Sequence, residues 1–324
     1  MNRFVMMLGA LGVVACNKDK SSGDDTGTPA ETCEVQISET VPSGGDTTFY
    51  YRGSIEVTFT TTDSEGEVEL TDSAGTAVAG DSSWSDDGTV LYFTPTDPLS
   101  PSTDYKLTIH YCGGDPEVDF RTSEVGSAAD STDLVGKAYT IDLGSARFIE
   151  PEGIGSVLGS VLTQNILVGV TAVDTDSIQM VGAISTEGTT EQDPCTPSID
   201  FPEADFSSNP YFEIGPQDTT ISVAGYTATI GDLYISGAFA PDASYFAGGE
   251  LGGVVDTTTL DDIPDLADLA GCDGTDDNCL CDFIAGTGFA TCSDCPDGSG
   301  PYCLTLLADQ IVATEIDSGV DVIT

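Results

Sequence analysis

The sequence predicts a mainly β protein of two domains, an antiparallel β-sandwich followed by a second β-rich domain with a few short helices, stapled by disulfides. Short segments that alternate apolar and polar residues recur along the chain, and turn-forming Gly, Asp and Pro separate them. The 37 glycines and 16 prolines among 324 residues favour many short strands over long helices. Nine of the ten cysteines are candidates for the predicted disulfides.

The charge balance excludes one class of partner. The chain has 55 Asp and Glu against 8 Lys and Arg and one His, a formal net charge of -47. A protein this acidic lacks the basic surface that binds a phosphate backbone, so we expect no nucleic acid partner. Hydrophobic residues make up 39% of the chain, which is enough to form a core.

Residues 1–15 are predicted to be a secretory signal peptide. Arg3 precedes the apolar run "FVMMLGALGVVA", which is too short to span a bilayer and ends in small residues. The sequence from Val13 to Cys16 resembles the bacterial lipobox. This resemblance implies that Cys16 becomes the lipidated amino terminus, whereas an ordinary signal peptide with an incidental cysteine is the alternative.

Residues 16–32 are predicted to form a lipidated cysteine and a flexible tether. The segment "NKDKSSGDDTGTPAET" after Cys16 has no large apolar side chain. Asn17 stands where an Asp would retain a lipoprotein at the inner membrane, so we expect an exported protein anchored to the outer membrane. The predicted partner is therefore the membrane, through the lipid, with the folded part facing the periplasm or the cell surface.

Residues 33–124 form the predicted sandwich. The segment "SIEVTFTT" places Ile55, Val57 and Phe59 on one face of a strand. Further strands are predicted at "EVELTD", "TVLYFTP", "DYKLTIHY" and "EVDFRT", with turns at "SAGT", "SDDG" and "TDPLSPST" between them. Several short strands at this spacing indicate an antiparallel sandwich.

This domain resembles a known family over about residues 36–124. The segments "PSGG", "SIEVTFTT", "DDGTVLYFTPTDPLSPSTDYKLTI" and "DFRTS" carry the resemblance, and they resemble the bacterial Ig-like domain of the surface-layer SbsA type (Big_5). The resemblance implies a sandwich that serves as a spacer or binding module in exported proteins. It brings no catalytic residues with it.

Two residues of the sandwich were candidates for a special role. Tyr105 is predicted to be a corner tyrosine whose hydroxyl bonds to backbone, or else a plain core residue. His110, the single histidine, is predicted to be an ordinary surface residue rather than a ligand.

Residues 130–324 form the predicted second, acidic and cysteine-rich domain. Strands are predicted at "NILVGVTAV", "SIQMVGAIST", "TTISVAG", "YTATIGDLYISGAFA" and "SYFAGGELGGVVD". Apolar residues at helical spacing predict helices in "PEGIGSVLGSVL" and "LDDIPDLADLAG". Two more short helices are predicted around Cys279 to Ile284 and around Cys303 to Ile311.

The second domain lacks the side chains of most catalytic sites. Thirty Asp and Glu but no Lys, Arg or His follow Arg147 in the sequence. A His-based triad, a lysine Schiff base or a His-ligated metal cannot be built from this segment alone. We therefore expect no catalytic residues and no cofactor. Carboxylate chemistry and a weak calcium site at Asp273 and Asp277 in "CDGTDDNC" remain as alternatives.

The cysteines indicate a disulfide framework. Cys33 and Cys112 flank the first domain and are predicted to bond with each other. The disulfide candidates are Cys33, Cys112, Cys195, Cys272, Cys279, Cys281, Cys292, Cys295 and Cys303. Their spacing does not decide the connectivity within the second domain. A four-thiolate zinc site in "CLC…CSDC" is the alternative there. The odd number predicts one thiol that is free or bonded to another chain, and Cys195 is either that residue or a long-range staple to the cluster.

The leading hypothesis for function is a non-catalytic lipoprotein of the cell envelope. In this hypothesis the Ig-like domain is a spacer that presents an acidic, disulfide-rich domain, which binds or scaffolds an envelope protein or a surface glycan. One alternative is a carboxylate-dependent glycan hydrolase with an accessory Ig-like domain. The other is a calcium-dependent adhesin.

Overall fold

The structure is a computed structural model. It describes residues 33–323 apart from positions 64–65, 142, 144–145, 152–154, 156–163, 224–225, 261–266, 268–269, 274–277 and 289. The predicted signal peptide, Cys16 and the predicted tether lie outside the described residues. From Val35 onward the chain forms one compact unit.

Seven strands form the predicted antiparallel sandwich. They are β1 (Ile37–Val41), β2 (Ile55–Phe59), β3 (Glu67–Asp72), β4 (Gly80–Trp84), β5 (Val90–Pro95), β6 (Asp104–His110) and β7 (Glu117–Arg121). One sheet has the order β1-β2-β5-β4 and the other β3-β6-β7. All five strands predicted here are confirmed, whereas β1 and β4 were missed because "ISETV" and "GDSSW" have few apolar residues.

Tyr105 is the corner residue that the sequence predicts. Its ring is buried and stacks on Phe120, with 5.8 Å between the ring centroids. Its hydroxyl accepts a hydrogen bond of 2.9 Å from the backbone N–H of Ser100. The predicted bond to backbone is thus confirmed, and it fixes the loop before β6. His110 is 42% exposed, and its Nδ1 lies 2.8 Å from the Asp115 carboxylate.

The second domain is built on one antiparallel sheet of ten strands. They are β8 (Ala138–Ile141), β9 (Arg147–Glu150), β10 (Ile166–Val173), β11 (Ser177–Ile184), β12 (Ile199–Asp200), β13 (Ala204–Asp205), β14 (Tyr211–Val223), β15 (Tyr226–Phe239), β16 (Tyr245–Asp256) and β17 (Cys303–Ile316). Their order is β12-β11-β10-β8-β17-β16-β15-β14, with β13 paired to β11 and β9 paired to β17. The five strands predicted here are confirmed as β10, β11, β14, β15 and β16.

Bulges curl this sheet. Each of the four long strands contains a register shift and a residue with positive φ: Gly215 in β14, Asp232 in β15, Gly248 in β16 and Gln310 in β17. A bulge bends its strand and increases the local twist. As a result, β13 at one end of the sheet contacts β14 at the other end.

The helices whose bounds lie within the described residues are short. They are α1 (Ser131–Leu134), a 3-10 helix (Thr257–Leu260) and α2 (Cys279–Thr287), and α2 confirms one predicted helix. None of the described helices is long and apolar enough to cross a membrane. The predicted helix at 151–162 lies almost entirely outside the described residues, and so does most of the one at 260–271.

The helix predicted around Cys303 to Ile311 is wrong, because this segment is the first part of β17. The buried residues Leu304, Ala308 and Ile311 follow a helical spacing of four and three. The bulge around Gln310 produces this helix-like spacing in a strand. Between the pairs Ala308–Leu251 and Ile311–Gly249, β17 advances by three residues while β16 advances by two. A bulge shifts the alternation by one residue, so the pattern imitates a helix.

Two hydrophobic cores support the two domains. The sandwich core contains Ile55, Leu107 and Phe120. The core of the second domain is rich in aromatic side chains whose rings contact one another: Tyr139, Phe206, Phe212, Phe239 and Phe246. Ala238 of β15 belongs to the sandwich core, so the two domains share packing at their boundary.

Candidate functional site

The junction between the sandwich and the second domain is held by Arg147 of β9. Its Nε and Nη2 donate to the two carboxylate oxygens of Asp309 on β17, at 2.8 and 2.6 Å. Its Nη1 donates to Glu56 of β2 at 3.0 Å. These hydrogen bonds, the Asp309 pair above all, raise the pKa of the Arg147 guanidinium. One charged side chain thus ties a strand of each domain to β9.

Arg52 makes a second contact across the junction. Its guanidinium carbon lies 4.1 Å from the centroid of the Tyr211 ring of β14. Its Nε donates to the Tyr51 hydroxyl at 3.0 Å, which orients the side chain. A guanidinium over an aromatic face is a favourable cation–π contact.

Tyr50 packs directly on the second domain. Gly248 of β16 has φ +60°, and a Cβ at this position would overlap carbon atoms of the Tyr50 ring. The Tyr50 hydroxyl is buried with no hydrogen-bond partner, and burial raises its pKa. The β16 bulge is therefore shaped to accept an aromatic ring from the sandwich.

The described Lys and Arg side chains are all engaged in structural contacts. Arg52 and Arg147 serve the junction, as described above. Lys106 pairs with Glu117, Arg121 with Asp104 and Lys137 with Glu315. In the part of the chain that the structure describes, no basic side chain is left over to bind an anionic ligand.

The second domain contains a partly open apolar cavity of about 170 Å³. Its walls come from both halves of the curled sheet, from β10 and β11 on one side and from β15, β16 and β17 on the other. Apolar side chains dominate the lining, among them Ile166, Ile184, Phe201, Ile230, Leu251 and Leu306. No charged side chain of the described residues lines this apolar cavity.

A carboxylate is fixed beside one edge of the apolar cavity. Thr196 lines the cavity, and its hydroxyl donates to Asp193 at 2.9 Å. The other oxygen of Asp193 accepts from the backbone N–H of Cys195 at 2.9 Å. The backbone of Asp193 is itself bonded to the carbonyl of Ile184, a lining residue. A negative charge is thus held at this edge.

Many of the surface aspartates stabilise turns through hydrogen bonds. In a recurring Asp-x-Ser/Thr pattern, the carboxylate accepts hydrogen bonds from both the backbone N–H and the hydroxyl of the residue two positions on. The aspartates are Asp46, Asp87, Asp130, Asp205, Asp242, Asp256 and Asp297. The hydroxyl hydrogen bond, helped by the backbone one, lowers the pKa of Asp130, Asp242 and Asp297. This motif is visible in the sequence and was not recognised there.

The net charge of -47 predicts a strong dependence of stability on salt. Like charges repel each other across a compact surface, and salt screens that repulsion. We expect Tm to rise by about 5 °C between about 0.02 and 0.5 M NaCl. Thermal unfolding followed by circular dichroism measures this, with KCl as a control for ion identity. A Tm independent of salt would contradict it.

The calcium alternative at Asp273 and Asp277 falls partly outside the described residues, because Asp277 is not among them. It therefore stays a prediction. No group of three or more His, Cys, Asp or Glu in the described part of the chain is placed to hold a metal ion.

The disulfide framework of the second domain is a ladder of local bridges. Cys272 bonds to Cys279, Cys281 to Cys292 and Cys295 to Cys303. Cys33 and Cys112 are disulfide-bonded as well, and Cys195 is free and exposed. The fold predicted as disulfide-stapled is thus confirmed. The sulfurs of "CLC" and "CSDC" lie in these bridges and not in the alternative zinc site.

Removing the middle bridge with the double substitution Cys281→Ser and Cys292→Ser should lower the free energy of unfolding by about 3 kcal/mol, because it releases a short closed loop in the unfolded chain. The bridge also anchors α2, since Cys281 lies 3.2 Å from the buried Thr257 hydroxyl. Urea unfolding measures the loss. The matched control is Cys195→Ser, which removes a free thiol and should leave stability unchanged.

A family comparison agrees with the sandwich. Residues 31–112 match the family model of the bacterial Ig-like domain, Big_5, which confirms the predicted resemblance. The chain therefore contains a bacterial Ig-like domain. No family model matches the C-terminal part, and no curated protein matches the sequence.

Solved structures give weak likenesses. CopC from Methylosinus trichosporium OB3b is 14% identical, with 28% of this chain and 94% of that chain covered and a TM-score of 0.24. L,D-transpeptidase 3 from Mycobacterium tuberculosis is 16% identical, with 30% and 42% covered and a TM-score of 0.22. The surface-layer protein rSbsC is 11% identical, with 89% and 53% covered and a TM-score of 0.21. At these TM-scores the likenesses support no argument about function.

Proposed function

We propose that the protein is a non-catalytic lipoprotein of the bacterial cell envelope, in which the Ig-like domain presents an acidic, disulfide-stapled binding domain. The family match of residues 31–112 supports an envelope protein. The lipobox-like sequence ending at Cys16 supports lipid anchoring to the outer membrane. Its partner would be an envelope protein or a surface glycan.

The observation that carries the proposal is the junction. Arg147 bridges Glu56 and Asp309, and Tyr50 seats on Gly248, so the second domain is held against the Ig-like domain. A domain held in this way has a defined orientation relative to its anchor, as presentation of a binding surface requires. The described Lys and Arg side chains pair with carboxylates or pack on an aromatic ring, which supports a structural role for them in this proposal.

Cys16→Ser tests the anchor. We expect the wild-type protein in the membrane fraction and the variant in the soluble fraction, because acyl chains on Cys16 provide the attachment. Mass spectrometry of the amino-terminal peptide would detect the acyl groups directly. A wild-type protein that fractionates like the variant and has an unmodified terminus would overturn the lipoprotein assignment.

Two further measurements test orientation and catalysis. Protease treatment of intact cells should release peptides from 130–324 if this domain faces outward, whereas protection until the outer membrane is permeabilised places it in the periplasm. Reducing-sugar assays on envelope and external glycans should show no turnover by the purified protein. Robust turnover that Asp or Glu substitutions abolish would overturn the non-catalytic assignment.

A further inference from the structure

The apolar cavity of the second domain has the size and lining of a site for a small molecule. Its volume of about 170 Å³ is similar to that of engineered apolar cavities, about 150 Å³, that bind benzene. We propose that the apolar cavity binds one uncharged apolar molecule, or the hydrocarbon end of one, about the size of a benzene ring or a six-carbon chain. This inference rests on the proposed binding role of the second domain.

The position of the apolar cavity supports a site rather than a packing defect. Residues from opposite ends of the sheet order, such as Ile184 of β11 and Ile230 of β15, face it together. The bulges at Asp232 and Gln310 belong to the strands of one wall and bend the sheet around the space. Closely packed interiors hold few voids larger than a water molecule.

The surrounding charge selects the ligand class. The Asp193 carboxylate is held beside Thr196 at the cavity edge by two hydrogen bonds. No Lys or Arg occurs after Arg147 in the sequence, and Arg147 is paired with Asp309 and Glu56. An anionic end group such as a carboxylate would therefore meet uncompensated negative charge. A ligand hydroxyl can instead donate to the lining oxygen of Thr196, whose own proton is given to Asp193.

The test compares two probes of equal chain length, 1-hexanol and hexanoate, by ligand-observed NMR at pH 7. The protein is the mature chain from residue 16 onward carrying Cys16→Ser, which lacks both the apolar signal peptide and the lipid and is expected to need no detergent. We expect 1-hexanol to bind with a dissociation constant on the order of 1 mM, from burial of about six methylene groups and the cost of association. Hexanoate should bind at least about tenfold more weakly than 1-hexanol. The substitution Asp193→Asn removes the nearby negative charge, so it should reduce the difference in affinity between the two probes.

Two variants separate the apolar cavity from non-specific binding. Ala228 of β15 lines the cavity, so Ala228→Leu should fill it and weaken 1-hexanol binding at least about tenfold. Ala172→Leu is the matched control, because Ala172 is exposed on β10 and does not line the cavity; it should bind like the parent. Leu306→Phe is a second filling variant if Ala228→Leu fails to fold.

The inference is overturned if the folded parent does not bind 1-hexanol, or if both filling variants that fold bind it like the parent. Equal affinity for hexanoate would overturn the assignment to uncharged ligands. These readouts do not depend on membrane location. Failure of the Cys16 experiment would therefore remove the envelope anchor and leave the ligand assignment intact.

Discussion

Gly248→Ala should lower the free energy of unfolding by about 3 kcal/mol and loosen the junction between the two domains. Gly248 lies in the β16 bulge with φ +60°, and a Cβ there would overlap the Tyr50 ring. The ring cannot easily move away because it is partly buried and packs edge-on against Tyr51, at 5.1 Å between ring centroids. The cost combines overpacking with the strain of a left-handed backbone.

Gly75→Ala is the matched control for this change. Gly75 has φ +79°, but nothing lies within 4 Å of a Cβ added there. Its substitution should cost about 1 kcal/mol, which is the backbone strain alone. Urea unfolding and limited proteolysis measure both variants. Equal losses would show that the Tyr50 contact does not hold the junction.

Tyr50→Phe separates the ring from its hydroxyl. Because that hydroxyl is buried without a partner, its removal should leave stability unchanged or raise it by up to about 1 kcal/mol. The apolar contact with Gly248 remains in this variant. A large loss would mean that the hydroxyl has a bonding partner in solution, such as an ordered water.

Arg147→Met should cost about 2 kcal/mol and raise the rate of proteolysis between the domains. It removes three hydrogen bonds and leaves Asp309 and Glu56, whose side chains are 22% and 19% exposed, without their cation. A partly buried carboxylate without a cationic partner lowers the stability of the folded protein. The effect is larger in a protein of net charge -47, because other negative charges are nearby. Because the Arg147 side chain is 45% exposed, the loss stays below that of a fully buried pair.

Arg121→Met provides the control for Arg147→Met. Arg121 pairs with Asp104 within the sandwich at 2.9 Å; its side chain is about as exposed as that of Arg147, but its carboxylate partner is 66% exposed. Its removal changes the net charge equally but should cost below about 1 kcal/mol. If the two variants lose the same stability, the effect comes from net charge and not from the junction.

The alternation of side chains predicted most of the strands. Segments such as "SIEVTFTT" and "DYKLTIHY" have one buried face, so their period of two is visible without the fold. β4 and β12 are short or polar and are strands because neighbouring strands pair with them. In β17 the bulge at Gln310 gives the buried residues a local helical spacing. Only the pairing with β16 shows that this segment is a strand.

The candidate sites were harder to predict from the sequence than the strands. Arg147 and Asp309 are 162 positions apart, and Tyr50 and Gly248 are distant along the chain as well, so no local pattern joins them. The residues that line the apolar cavity come from several strands, and in the sequence they cannot be distinguished from ordinary core residues. The Asp-x-Ser/Thr turns, by contrast, are local, and their spacing was available in the sequence.

The sequence by itself determined the class of structure: the charge, the β-rich composition, the Ig-like segment and the cysteine framework are properties of composition and short-range pattern. The tertiary structure decided which cysteines bond, how the long strands curl around a cavity and how the scarce arginines join the domains. Those features depend on contacts between residues far apart in the chain. Such contacts arise when bulges bend the sheet and bring its distant strands together.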